Sequence, residues 1–201
     1  MIRRLRALAL LTAFSAAFPA FAADYTVDKD HSNVGFTIKH MMSKVSGAFT
    51  DFEGKFSFEP KKQEASSGEF TIKAASINTN NAKRDEHLKS PDFFDVQKYP
   101  TITFKSTKVD KTGKDKFKLT GDFTMHGVTK PVTFSVEYLG TAKDPWGNEK
   151  FAATAHGKIN RKDFGLNWNK VLEAGGLLVG EDVDMVLQIE ALQVVPGKKA
   201  Q

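Results

Sequence analysis

Phe117-Lys118-Leu119-Thr120-Gly121-Asp122-Phe123-Thr124-Met125, then His126 to Pro131, then Val132-Thr133-Phe134-Ser135-Val136-Glu137-Tyr138, is the stretch whose reading decides the fold. Phe117, Leu119, Phe123 and Met125 alternate with Lys118, Thr120, Asp122 and Thr124, and Val132, Phe134, Val136 and Tyr138 repeat the pattern. A strand points successive side chains to opposite faces, so period two marks a sheet surface with one apolar face. The break at Gly127 to Pro131 has hairpin turn chemistry.

The same rhythm extends in both directions. Val34, Phe36 and Ile38 alternate with Gly35, Thr37 and Lys39; Phe56 and Phe58 flank Ser57; Phe70 and Ile72 flank Thr71; Ile102 and Phe104 sit among threonines. Downstream, Phe151, Ala153 and Ala155 form a weaker face, and Val183, Met185, Leu187 and Ile189 a last one. With a short first strand at Tyr25 to Val27, roughly eight strands are expected. Turns are expected at Asp51 to Gly54, Pro60 to Gly68, Lys111-Thr112-Gly113 and Asp144-Pro145-Trp146-Gly147. Such short connections imply an antiparallel sheet, which must curl or meet a second sheet to hide its apolar face.

Two segments interrupt the alternation. Asn81 to Lys89 is charged and carries only Leu88 as a large apolar residue, which predicts a short helix at one end of the sheet structure. Ser90-Pro91-Asp92 follows with a helix-start signal ahead of Phe93, Phe94 and Val96. Residues 160–181 form a second interruption holding Trp168, Gly175-Gly176 and Leu177-Leu178-Val179. The glycine pair beside three apolar residues predicts a lid over one end.

The N-terminus reads as an export leader over residues 1–22: Arg3, Arg4 and Arg6, an apolar run from Ala7 to Phe18, then Ala20-Phe21-Ala22 as the cleavage pattern. That run is shorter than the roughly 20 apolar residues of a spanning helix, so no stable membrane insertion is expected, only transient contact. A single domain is expected over residues 23–201, which in a bacterial host would reside in the periplasm. Taking the leader's three arginines from the formal charge of +5 leaves +2, too weak an imbalance to imply a nucleic-acid partner. No cysteine is present, which excludes disulfides, thiolate metal sites and lipidation at cysteine.

His31, His40, His87, His126 and His156 are scattered and show no metal-ligand spacing, and no G-x-S-x-G occurs. No catalytic residue, metal or cofactor is therefore assigned. An alternative keeps a hydrolase or metal-dependent enzyme built on the Asp85 and His87 region. A further alternative is a barrel filled by its own side chains that serves as a protein-interaction or stress-response module.

Ordered motifs along Asp24 to Leu192 resemble the YceI-like family. They include Asp30-His31-Ser32, Lys39-His40-Met41, Gly47-Ala48-Phe49, Ile77-Asn78-Thr79-Asn80, Arg84-Asp85 with His87-Leu88, and Phe93-Phe94-Asp95. Tyr99 to Phe104, Gly121 to Thr124, His126 to Val132, Asn160-Arg161 and Asp163-Phe164-Gly165 continue the match. The family often has leucine where this chain has Phe123.

The resemblance implies an all-β fold: an eight-stranded antiparallel, lipocalin-like β-barrel with a short helix at one end. It also implies a polyisoprenoid or similar long-chain lipid as ligand, and no other cofactor. Composition alone leaves open whether the 14 phenylalanines outside the leader, 17 less Phe14, Phe18 and Phe21, fill the barrel or line it. On the ligand-binding reading the lining comprises Phe36, Ile38, Phe49, Phe70, Ile72, Phe104, Phe117, Leu119, Phe123, Phe134, Val136, Met185 and Leu187. Arg84, His87, Asn78 and Trp168 stand as candidates for the mouth and the lipid head group. The competing reading pairs Arg84 and Asp85 with Arg161 or Asp163, and gives Asn78 and Asn80 to turns. Oligomeric state is left open, a homodimer included.

Overall fold

The computed structural model describes residues 22–172 and 177–195, so the expected leader before Ala22 and the Gly175-Gly176 pair lie outside the described residues. Strand β1 (Ala23–Val27) leads through a 3-10 turn at Lys29–His31 into β2 (Asn33–His40). Likewise β3 (Ser43–Phe49) and β4 (Phe52–Phe58) are separated only by Thr50 and Asp51. A 3-10 turn at Ala74–Ser76 splits β5 (Ser67–Lys73) from the two-residue β6 (Ile77–Asn78). Helix α1 (Ala82–Lys89) follows, and then come β7 (Thr101–Lys111), β8 (Lys116–Met125), β9 (Val128–Lys143), β10 (Glu149–Asn160) and β11 (Val179–Gln193).

Eleven ladder segments make eight strands, because β1 with β2, β3 with β4, and β5 with β6 are each one strand broken by a kink. The pairings close a ring. β11 pairs along one edge with β10 and along the other with β1 near its end (Val27↔Ala191) and with β2 further back (Met185↔Phe36). β1 pairs β4 and β2 pairs β3; β4 and β3 then pair β5 and β6, and β5 pairs β7. Adjacent hairpins join β7 to β10. Closure gathers the apolar face inside and leaves only short free edges, at β6 and at the start of β9.

The kinks satisfy their own backbone. Ser32 Oγ donates to the Glu190 carbonyl at 3.0 Å and accepts from the Glu190 amide at 2.9 Å, replacing ladder bonds where β1 gives way to β2. At the second break Lys73 N donates to the Asp51 carbonyl and Thr50 N to the Ser76 carbonyl, so two kinks lock side by side.

Three turn and helix expectations are corrected. The β8–β9 turn is only His126-Gly127, with positive φ at both residues (53° and 75°), the two-residue geometry that suits strand twist. Val128 to Pro131 belong to β9; Pro131 is tolerated because β10 pairs β9 only from Ser135 onward, leaving one side free at the proline. Gly54 is a buried strand residue of β4, and no turn forms there. Ser90 ends α1 and starts no new helix: its hydroxyl bonds the His87 carbonyl at 2.8 Å, and Phe93 and Asp95 turn back onto the Ser90 carbonyl. The start of α1 is capped by Asn81, whose Oδ1 accepts from Arg84 N at 3.0 Å.

The barrel end remote from α1 is solid. Tyr25, Phe56, Phe58, Tyr138 and Phe151 stack there with ring centroids about 5 Å apart.

Candidate functional site

Beyond that aromatic plug the interior is hollow. A cavity of about 330 Å³ lies under α1 and the segment after β10, and a narrower one of about 110 Å³ continues toward the plug. Phe36, Ile38, Phe49, Ile72, Phe123 and Met185 line the wide cavity, together with Arg84, His87 and Trp168. Phe70, Phe104, Phe117, Leu119, Phe134, Val136 and Leu187 line the narrow one. Ile72, Ile102, Phe123 and Met185 belong to both walls and mark where the lumen narrows.

The void survives because several rings lie against the wall over glycines. A Cβ on Gly47, Gly54, Gly121 or Gly157 would come within 2.5 to 2.6 Å of Phe36, Phe70, Phe104 or Phe134 respectively. Each glycine faces inward from a strand, and its missing side chain is the space the phenylalanine occupies. Glycine at an apolar-parity position was the signal in the sequence that could have revealed this.

At the wide end, Arg84 and Asp85 do not pair with Arg161 or Asp163; both close on Thr79. Arg84 Nε donates to Thr79 Oγ1 and its Nη2 to the Thr79 carbonyl, each at 2.7 Å, while Asp85 Oδ1 accepts from Thr79 N and from its hydroxyl. Thr79 is itself buried, so this knot fastens α1 to the barrel rim. Asp163 pairs at the surface with Lys130 at 3.3 Å. His87 reaches Asp92 at 2.9 Å and packs edge-on against Phe93 and Trp168. Asp85 and His87 are thus each committed elsewhere.

Asn78 does not reach the lumen. It is exposed, with Oδ1 accepting from Asn80 N at 2.8 Å, and Asn80 takes a positive φ of 59°. The residue is a turn former because the β6 ladder has only two rungs and must release the chain into α1. The apolar segment expected as a lid contributes Leu178 and Val179 to the wide cavity's wall, and Val179 already lies on β11.

Sequence reasoning offered Arg161 only as a partner for Arg84 and Asp85 and missed its place at the cavity: it stands at the end of β10 with 3% exposure and forms part of the wide cavity's wall. Its Nε donates to the Gly180 carbonyl at 2.8 Å, and Nη1 donates to the carbonyls of Trp168, at 3.0 Å, and Leu166. Burial pushes its pKa down, against the opposing charge of Glu181, yet a guanidinium stays protonated in protein. No period marks such a residue; one arginine after a strand looks the same buried or exposed.

Among the described residues, Asp28, His31 and Glu190 bring ligand atoms close enough for a metal. The Lys150 ammonium occupies that space, 2.8 Å from Asp28 and 2.9 Å from Glu190. The cluster is a salt bridge across the first kink. No helix among the described residues is long and apolar enough to cross a membrane.

A closed eight-stranded antiparallel barrel around an apolar lumen defines a lipocalin-like protein. The chain belongs to the YceI-like family, whose domain matches residues 25–191. A UPF0312 protein of Azotobacter vinelandii is 41% identical over 194 residues, covering 95% of this chain and 98% of that one. Among solved structures, Burkholderia cenocepacia BcnA superimposes with a TM-score of 0.71 at 25% identity, over 82% of this chain and 98% of its own. A polyisoprenoid binding domain from Saccharophagus degradans shares the fold, with a TM-score of 0.61 at 14% identity, over 87% and 99% of the two chains.

Proposed function

We propose that the protein is a non-enzymatic carrier that is exported to the periplasm, its leader cut after Ala22, and holds one long-chain isoprenoid or similar amphiphile in the barrel. The observation that carries this reading is the apolar lumen, whose wide part of about 330 Å³ lies within the range of small-molecule sites. Its wall is built largely from rigid aromatic and aliphatic side chains that need no hydrogen-bond partner. Burial of a methylene contributes about 0.8 kcal/mol, so ten of them supply on the order of 8 kcal/mol before association costs. Chain length then dominates affinity. The S. degradans barrel, described as polyisoprenoid-binding, supports the isoprenoid choice through fold alone.

Loading from a bilayer surface is supported by the rim of the wide end. Met42 is 97% exposed on the β2–β3 hairpin, with Met41 and Val171 exposed nearby, and Lys39, Lys44 and Lys170 are exposed alongside. Met41 N bonds the carbonyl of Leu178, a lining residue, which puts this apolar and basic rim beside the cavity.

Organic extraction of the native protein followed by mass spectrometry tests the proposal. About one prenyl or acyl lipid per chain is expected. Recovery of no lipid, with a bound metal found by elemental analysis, overturns it in favour of an enzyme.

A further inference from the structure

One residue in the cavity wall has a buried polar atom left without a partner among the described residues. Arg161 spends Nε and Nη1 on the carbonyls of Gly180, Leu166 and Trp168, while its Nη2 is buried and bonds nothing. Among the described residues no carboxylate touches the guanidinium: Glu181, the acid that acts on it through charge, is bound to Lys162. A buried donor is ordinarily satisfied, and a buried charge is ordinarily paired. Here both requirements are unmet at one atom group, and that group belongs to a residue in the wall of a largely apolar cavity whose other arginine, Arg84, is already bonded to Thr79.

We propose that Arg161 holds the polar end of the bound amphiphile through Nη2, and that this end presents an oxygen acceptor: a carboxylate, a phosphate or a carbonyl. The inference rests on the carrier reading and adds the chemistry of the head group to it. Three backbone carbonyls fix the guanidinium plane, so the fourth direction is set before the ligand arrives. An anionic oxygen is favoured because it also neutralises the charge, and an ammonium is excluded because two donors would meet. With the head at Arg161, the tail runs past Ile72, Ile102, Phe123 and Met185 into the narrow cavity.

Displacement of a fluorescent alkyl probe from the full-length exported protein tests this with one chain and four ends: hexadecanoic acid, hexadecyl phosphate, hexadecanamide and hexadecylamine. The three acceptors are expected to bind roughly tenfold or more tighter than the amine, the worth of a charge-assisted hydrogen bond. Phosphate against carboxylate against amide separates the possible sources of the oxygen. The preference should persist in 0.5 M salt, since a buried contact is little screened, whereas attraction by rim lysines would fade. Arg161→Gln should remove it and Arg161→Lys restore part of it. Equal binding of acid and amine by the wild-type protein overturns the proposal even if the variants fail to fold. So does discrimination retained in a folded Arg161→Gln, or discrimination lost in salt. Chains that bind without regard to their ends leave the carrier reading standing, whereas failure of the probe and of all four chains to bind removes both.

Discussion

At Gly157 a Cβ would stand 2.6 Å from the Phe134 ring, and that single distance states how the lumen stays open. Phe134 leans over the glycine of the neighbouring strand, so a methyl group there must push the ring into the cavity. Gly157→Ala is expected to destabilise the fold by about 1 to 3 kcal/mol, as overpacking does, and to weaken binding of an alkyl probe. Urea melts and probe titration check both; an unchanged midpoint with unchanged affinity would show that the ring has other room. The parity of Phe134 was readable from its strand, whereas its rotamer was not, because which way a ring leans depends on a residue 23 positions away.

At the scale of elements, the kinks decide how eight strands become eleven segments. Lys150 of β10 joins Asp28 beside β1 to Glu190 of β11 and clamps the first kink. Burial works against the Asp28 carboxylate, but hydrogen bonds from Lys150 and His31 outweigh it and hold its pKa below the ordinary value. Burial likewise opposes the Lys150 ammonium, and its bonds to Asp28 and Glu190 prevail and raise its pKa. A lowered carboxylate stabilises fully above its unfolded pKa and is lost as pH falls through its folded one. A raised lysine stabilises fully below its unfolded pKa and is lost as pH rises through its folded one. The clamp is therefore complete between about pH 5 and pH 9. Lys150→Met is expected to cost about 2 kcal/mol at pH 7, and the gap from wild type should narrow at pH 3, below the ordinary pKa of about 3.9 that the Asp28 carboxyl has in the unfolded chain. Denaturant melts at the two pH values check this, and an equal gap at both would remove the carboxylate from the account. Strand existence was visible in the alternation, as were interruptions after Val27 and at Asp51; that these are kinks within single strands was not, since inward parity resumes on the far side of each.

Over the whole molecule, the barrel is solid at one end, hollow at the other, and narrowed between by Ile72, Ile102, Phe123 and Met185. Phe123 is 2% exposed and packs edge-on against Phe164 with centroids 5.4 Å apart. It is thus the largest side chain set at the constriction. Phe123→Leu is expected to cost about 1 to 3 kcal/mol and to shift the preferred chain length upward by a few carbons, as the two cavities merge. Affinity measured across fatty acids of increasing length checks this; an unmoved optimum would show that the limit lies at the aromatic plug.

The amino-acid sequence by itself determined most of the strands, their inward parity and their antiparallel order, because period two and turn chemistry are local properties of the chain; β3, with Gly47 at an inward position, was not read from it. Resemblance to a family supplied closure into a barrel and the cargo proposed for it, neither of which alternation contains. Only the tertiary structure decided that the interior is hollow at one end, that Arg84 and Asp85 close on Thr79, and that Arg161, a residue of the cavity wall, is buried with one nitrogen unpartnered among the described residues. Each depends on groups far apart in sequence meeting at one depth in the barrel, and burial is set by that meeting, not by the identity of the residue.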